Sequence, residues 1–122
     1  MIHQSLDKSV AKGWFVGPWN SAVPVPVGYA NKGVNESHHH AQMFEIYLVA
    51  RGTSTAVINQ QIVHLQAGDM LVVEPGEMHT FSHSSDDYFH FVIQTPFIPG
   101  DKVQEDDKKQ DADFPDKPDQ DG

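Results

Sequence analysis

No stretch of this chain sustains the 3.6-residue apolar period of an amphipathic helix. Its apolar residues come instead in short β-branched runs cut by glycine, proline and asparagine. Glu45-Ile46-Tyr47-Leu48-Val49 is strongly strand-like, and Gly52 ends that run. Thr53–Ile58 and Ile62–Leu65 flank Asn59-Gln60-Gln61, which predicts a tight hairpin. Met70–Val73 follows the turn Gly68-Asp69, and Glu74-Pro75-Gly76-Glu77 turns into His79–His83. Tyr88–Ile93 is the last predicted strand, closed by Pro96. The run Ala22–Tyr29 carries Pro24 and Pro26, which confine it to a sheet edge. Short strands between frequent turns predict an all-β sandwich or barrel.

Length and charge set the limits around that barrel. The 122 residues suffice for one domain. Residues 101–122 hold nine acids and four lysines, with little apolar content, and are expected to form an acidic disordered tail. Residues 22–100 are expected to form the barrel, and residues 1–21 an N-terminal arm. Trp14, Phe15 and Trp19 of that arm are expected to pack outside the barrel or on a second subunit. The net charge is −9, and residues 1–100 offer only Lys8, Lys12, Lys32 and Arg51 as basic side chains. Nucleic acids and anionic membranes need clustered Lys and Arg, so neither is an expected partner. A phosphorylated substrate is disfavoured for the same reason. No apolar run approaches the ~18 residues of a membrane span. The first residues lack a signal-peptide profile, so the cytoplasm is the expected location. With no cysteine, disulfides and thiolate metal sites are excluded.

The chemistry lies in the histidines. Three of the eight are contiguous, His38-His39-His40. Side chains alternate along a strand, so His38 and His40 share one face and His39 takes the other. Glu45 opens the next strand after a short turn, where an antiparallel neighbour brings it beside the pair. Imidazole with carboxylate suits a first-row transition metal. His79 follows Glu74-Pro75-Gly76 at the start of another strand.

At these residues the chain resembles the cupin superfamily. His38-x-His40-x4-Glu45-x6-Gly52 matches the first cupin motif, and Gly68-Asp69 through Pro75-Gly76-x2-His79 resembles the second. Fifteen residues separate Gly52 from Gly68, a compact spacing for cupins. Lys32, Glu74 and His83 stand where the motifs usually have Gly, Pro and Asn, and none of these departures removes a ligand. The resemblance covers about residues 28–94. It implies a cupin-type double-stranded β-helix, a jelly-roll barrel of two antiparallel sheets. It also implies that His38, His40, Glu45 and His79 hold one divalent transition metal, Fe, Mn, Ni or Zn. One-domain cupins commonly dimerise, and an exposed edge at residues 22–29 would gain from pairing, so a homodimer is expected.

Three further side chains are candidates for a catalytic part. Glu36 shares face parity with His38 and His40, as a partner to the ligands or a general base. Tyr47 lies two residues beyond Glu45 on the same face, placed for substrate contact. His83 shares parity with His79 and would line the far part of the cavity, too distant to be a ligand. Tyr29, Phe81 and Phe91 join Tyr47 as candidates for the cavity wall, and His90 and His64 are weaker site candidates. A ligand set of this kind leaves two metal positions for water, dioxygen or a bidentate oxygen substrate. The expectation is a metal-dependent enzyme on a small non-phosphorylated molecule, dioxygenase-type oxidation first, isomerase or lyase chemistry next. The alternative is a metal or small-ligand binding protein without catalysis.

Overall fold

The computed structural model describes residues 1–32 and 37–104. Among the described residues every regular element is a strand. In chain order these are β1 (Lys12–Val16), β2 (Val27–Ala30), β3 (His38–His40), β4 (Phe44–Arg51), β5 (Thr53–Ile58), β6 (Gln61–Gln66), β7 (Met70–Val73), β8 (His79–Ser84), β9 (Phe89–Thr95) and β10 (Lys102–Gln104). They form two five-stranded antiparallel sheets, β1-β2-β9-β4-β7 and β10-β3-β8-β5-β6. The expected jelly-roll barrel is the observed fold.

Turn chemistry fixes the register. Asn59 and Gln60 both have positive φ, as a two-residue hairpin between right-twisted strands requires. Their turn pairs β5 with β6 from Thr53↔Gln66 to Ile58↔Gln61. Gly52 also has a positive φ of 74°, and a Cβ there would lie 2.7 Å from the Tyr88 Cα. Glycine is therefore required where β4 hands over to β5.

The core lies between the sheets. Tyr47, Val49, Ala56, Leu65, Val73, Phe81, Tyr88 and Val92 are buried together. On β4 they alternate with the exposed Leu48, as a half-buried antiparallel strand should. The arm departs from expectation. Its β1 pairs with β2, and Trp14 packs against the core where Gly28 leaves room for the indole. Phe15 lies on the opposite face, against Tyr29 at 4.7 Å between ring centroids. Residues 22–26 form no strand, and Val27–Ala30 is not an edge, since it lies between β1 and β9. Its pairing edge is covered by β1 of the same chain, which removes the reason it offered for pairing between two copies.

The far end also differs from the sequence reading. Lys102–Gln104 pairs antiparallel with β3, although the acidic tail was expected from residue 101. The Asp101 carboxylate accepts the backbone N–H groups of Gln42 and Met43 at 2.9 and 3.0 Å. That bond pair fastens the segment to the loop between β3 and β4. Long-range pairing, not local apolar content, makes this strand. The rest of the expected tail, from residue 105, lies outside the described residues.

Candidate metal centre

Three strands converge on one point between the sheets. β3 presents His38 and His40, β8 presents His79, and β4 of the facing sheet presents Glu45. His38 and His79 are direct cross-strand partners, with ring centroids 4.1 Å apart. The turn Glu74–Glu77 delivers His79: the Glu77 N–H donates to the Glu74 carbonyl, and the Gly76 N–H to the His40 carbonyl at 2.7 Å. One ligand atom from each of the four residues lies within 4.8 Å of the others, and all four side chains are buried. Atoms bound at ~2.1 Å to one ion are at most about 4.2 Å apart, so small rotations close the set.

Hydrogen bonding at His79 tests whether a cation fits. Nδ1 lies 3.2 Å from the Glu77 carbonyl, which can only accept, so Nδ1 carries the proton. In a neutral ring Nε2 is then a bare lone pair, yet it sits 2.9 Å from Glu45 Oε1. Two acceptors at that distance repel unless a proton or a metal cation joins them. His40 Nε2 is 3.2 Å from Glu45 Oε2 without hydrogen-bond geometry, and its Nδ1 is buried with no partner. A cation bound by these nitrogens and the carboxylate resolves the conflict, so the residues fit a divalent metal.

Glu45 is held from several sides. Burial, at 0 % exposure, pushes its carboxyl up. Its pairing with His40 and His79, charged when those rings are protonated, outweighs that and holds it well below the usual carboxylate range. The Tyr47 hydroxyl donates to Oε1 and Gln94 Nε2 donates to Oε2, both at 2.9 Å. Gln94 is the direct cross-strand partner of Glu45. Behind them His90 is buried against Tyr47 and Phe81 and hydrogen-bonded to the Tyr88 hydroxyl at 2.6 Å. Burial lowers the His90 pKa to about 4, against a smaller upward pull from Glu45. Burial likewise pushes the Tyr88 phenol up.

The candidates divide cleanly. His38, His40, Glu45 and His79 come together, and His39 faces away, its Nδ1 3.0 Å from the Met78 sulfur. Tyr47 is inside but engaged with Glu45, so it positions a ligand. Phe81 lines the interior, whereas Tyr29 and Phe91 pair with each other on the outer face, opposite Leu48. Met43 is buried, and Gln42 is exposed in the loop. Glu36 lies outside the described residues.

His83 is a correction. Thr55 pairs with His83 while Ala56 pairs with Phe81, so β8 carries one extra residue there. This bulge breaks the alternation and turns His83 outward, exposed beside Thr55 and His64. It does not line the cavity. Gln94 and Tyr88 escaped the sequence reading. For Gln94 the signal was available, since it continues the parity of His90 and Val92 along β9.

Comparisons with known proteins agree with this architecture. Residues 24–101 match the model of the AraC-like ligand binding domain. A cupin 2 conserved barrel domain protein from Salinispora arenicola superposes with a TM-score of 0.64 at 16% identity, covering 77% of this chain and 87% of that one. Pac13 from Streptomyces, solved with uridine, gives 0.61 at 17% identity, covering 85% and 91%. A cupin protein from Bacteroides fragilis gives 0.59 at 20% identity, covering 91% and 90%. No curated protein matches the chain. Among the described residues no helix is long and apolar enough to cross a membrane.

Proposed function

The chain belongs to the family of AraC-like ligand binding domains, cupin-type barrels, and from that premise we propose that it is a metal-dependent cupin acting on a small non-phosphorylated molecule in the cytoplasm. The observation that carries this reading is the buried cluster of His38, His40, Glu45 and His79, in which the junction of His79 Nε2 with Glu45 Oε1 would be satisfied by a bound cation. His38, His40, Glu45 and His79 would hold one divalent transition metal. When bound, such an ion supplies Lewis-acid polarisation and, if it is iron, activation of dioxygen.

The chain's own groups define what happens around it. Three neutral imidazoles and one carboxylate leave a divalent ion with net positive charge, suited to an oxygen ligand that gains negative charge. The Glu77 carbonyl fixes the His79 tautomer, and Tyr47 and Gln94 fix the two oxygens of Glu45. Those contacts keep the ligand set assembled while a substrate exchanges. Tyr47, Phe81 and a neutral His90 wall the interior side and keep water from it.

Oxidation by dioxygen is the favoured reaction. Proton-transfer chemistry needs a free acid or base beside the substrate. His83 points outward, and the Tyr47 proton is committed to Glu45. Isomerisation or elimination comes second, with Glu36 as the remaining base. The family description, a ligand-binding domain, supports a second reading in which the site binds without turnover.

The test is oxygen uptake by iron-loaded protein with a panel of diketones and catechols. Uptake that disappears in Glu45→Gln supports oxidation. No uptake, with saturable binding of a panel member, moves the reading to the binding protein.

A further inference from the structure

The Gln94 amide touches the metal centre with one end only. Gln94 lies on β9 directly across from Glu45, faces inward and is 1 % exposed. Its Nε2 donates to Glu45 Oε2 at 2.9 Å. That bond fixes which way round the amide sits. The Glu45 carboxylate is held ionised and can only accept, so the NH2 end must face it. Covalent geometry then places the carbonyl end. The two ends of an amide are about 2.2 Å apart, so Gln94 Oε1 stands no more than about 5 Å from Glu45 Oε2.

Oε1 is buried, and no donor among the described residues reaches it. A buried acceptor without a donor keeps the full cost of leaving water, which is why nearly all such atoms are paired in folded proteins. Turning the amide over gives no relief. It would set the carbonyl against the Glu45 carboxylate and take the donor from Glu45 Oε2. The backbone cannot withdraw the side chain either. The Gln94 N–H donates to the Pro26 carbonyl at 3.2 Å, and Ile93 pairs with both Val27 of β2 and Ile46 of β4. A fixed acceptor is thus held beside a metal ligand, in want of a donor.

We propose that Gln94 determines specificity: its Oε1 accepts a hydrogen bond from a hydroxyl of the molecule bound at the metal, so the site selects a hydroxy acid or hydroxy ketone over the keto counterpart. This rests on the metal reading above and names its substrate class. An O–H whose oxygen is bound to a cation is more acidic than a free one, and therefore a stronger donor. The keto counterpart has acceptors only and leaves Oε1 unpaired. Sites that hydrogen-bond a substrate hydroxyl reject the analogue lacking it for that reason.

The test uses full-length protein saturated with cobalt(II), whose visible spectrum reports ligand binding directly. Lactate and pyruvate, equal in charge and close in size, are titrated into the native protein, Gln94→Met and Gln94→Glu. The readout is the ratio of the two affinities, because a disturbed Glu45 affects both acids alike and cancels. The ratio of lactate to pyruvate affinity should fall about tenfold in Gln94→Met. It should recover in Gln94→Glu, where a new carboxyl buried beside Glu45 keeps its proton, donates it to Glu45 and accepts with its carbonyl. A ratio unchanged in Gln94→Met, including parallel loss of both acids, overturns the assignment as the sign of a merely structural amide. A ratio that stays low in Gln94→Glu overturns it too, since the acceptor has been restored. Cobalt-loaded native protein that responds to neither acid overturns it and leaves the metal site standing. Failure of the native protein to take up cobalt overturns the metal reading itself, and this inference with it.

Discussion

The Tyr47 hydroxyl donates to Glu45 Oε1 at 2.9 Å, so one strand carries both a metal ligand and the group that orients it. Two residues apart on the same inward face, they move as a unit. Gln94 completes the arrangement from β9 by donating to the other oxygen.

Removing that hydroxyl should therefore weaken metal binding more than it weakens the fold. Tyr47→Phe keeps the ring contacts with Phe81 and His90 and loses the hydrogen bond to Glu45. Metal affinity should drop by about 10- to 100-fold, as for other contacts that orient ligands. Competition with a chromophoric chelator measures this. Unchanged affinity would mean that Glu45 needs no support from Tyr47.

His83 and His79 should behave oppositely, although four residues apart on one strand. His79→Ala removes a ligand and should release the metal. His83→Ala alters an exposed side chain and should leave metal content and activity as they are. Metal loss from His83→Ala would place that side chain back inside and contradict the bulge.

This pair also marks how far the sequence carried. Strand alternation separated His38 and His40 from His39, and the resemblance to the cupin motifs added Glu45 and His79 to the candidate set that the structure brings together. Parity failed in β8, since a bulge is a property of the register between two strands and leaves no mark in either alone. The last strand, Lys102–Gln104, was hidden for a related reason. Nothing local distinguishes Lys102–Gln104 from the acidic residues after it, and only pairing with β3 makes it a strand. Trp14 was misplaced because the strand it sits on is defined by a partner, β2, that local sequence marks only as an edge.

Stability should fall with pH through the titration of His90. An unfolded chain binds that proton below about pH 6.5, whereas burial lowers the folded value to about 4. Between these values the unfolded state holds more protons, so stability decreases as pH drops from 6.5 towards 4. The loss amounts to about 3 kcal/mol at most by linkage. Urea unfolding of metal-free protein at pH 7 and pH 5 should show it, and His90→Gln should flatten the dependence. An unaltered slope in His90→Gln would assign the effect to other groups.

At Gly52 the backbone leaves no alternative residue. A methyl group would meet Ser85 Oγ at 2.5 Å and the Tyr88 Cα at 2.7 Å, in a backbone conformation that is already unfavourable for alanine. Gly52→Ala should cost about 2 kcal/mol or more, read as a lower urea midpoint with an unchanged slope. A neutral result would show that the β4–β5 junction relaxes freely.

Asp101 should matter to the fold despite its place near the acidic segment. Its carboxylate accepts two backbone N–H groups, and Asp101→Ala leaves both without their partner. The expected loss is about 1–3 kcal/mol, measured by thermal unfolding. No change in midpoint would mean that β10 is dispensable.

The most direct measurement is the metal content of purified protein by elemental analysis, for the native chain and for Glu45→Gln and His40→Ala. The native protein should carry close to one equivalent of a divalent transition metal, and both variants should lose most of it while keeping their β-sheet spectrum. Native protein without metal, or variants that retain it in full, would contradict the assignment of His38, His40, Glu45 and His79 as its ligands.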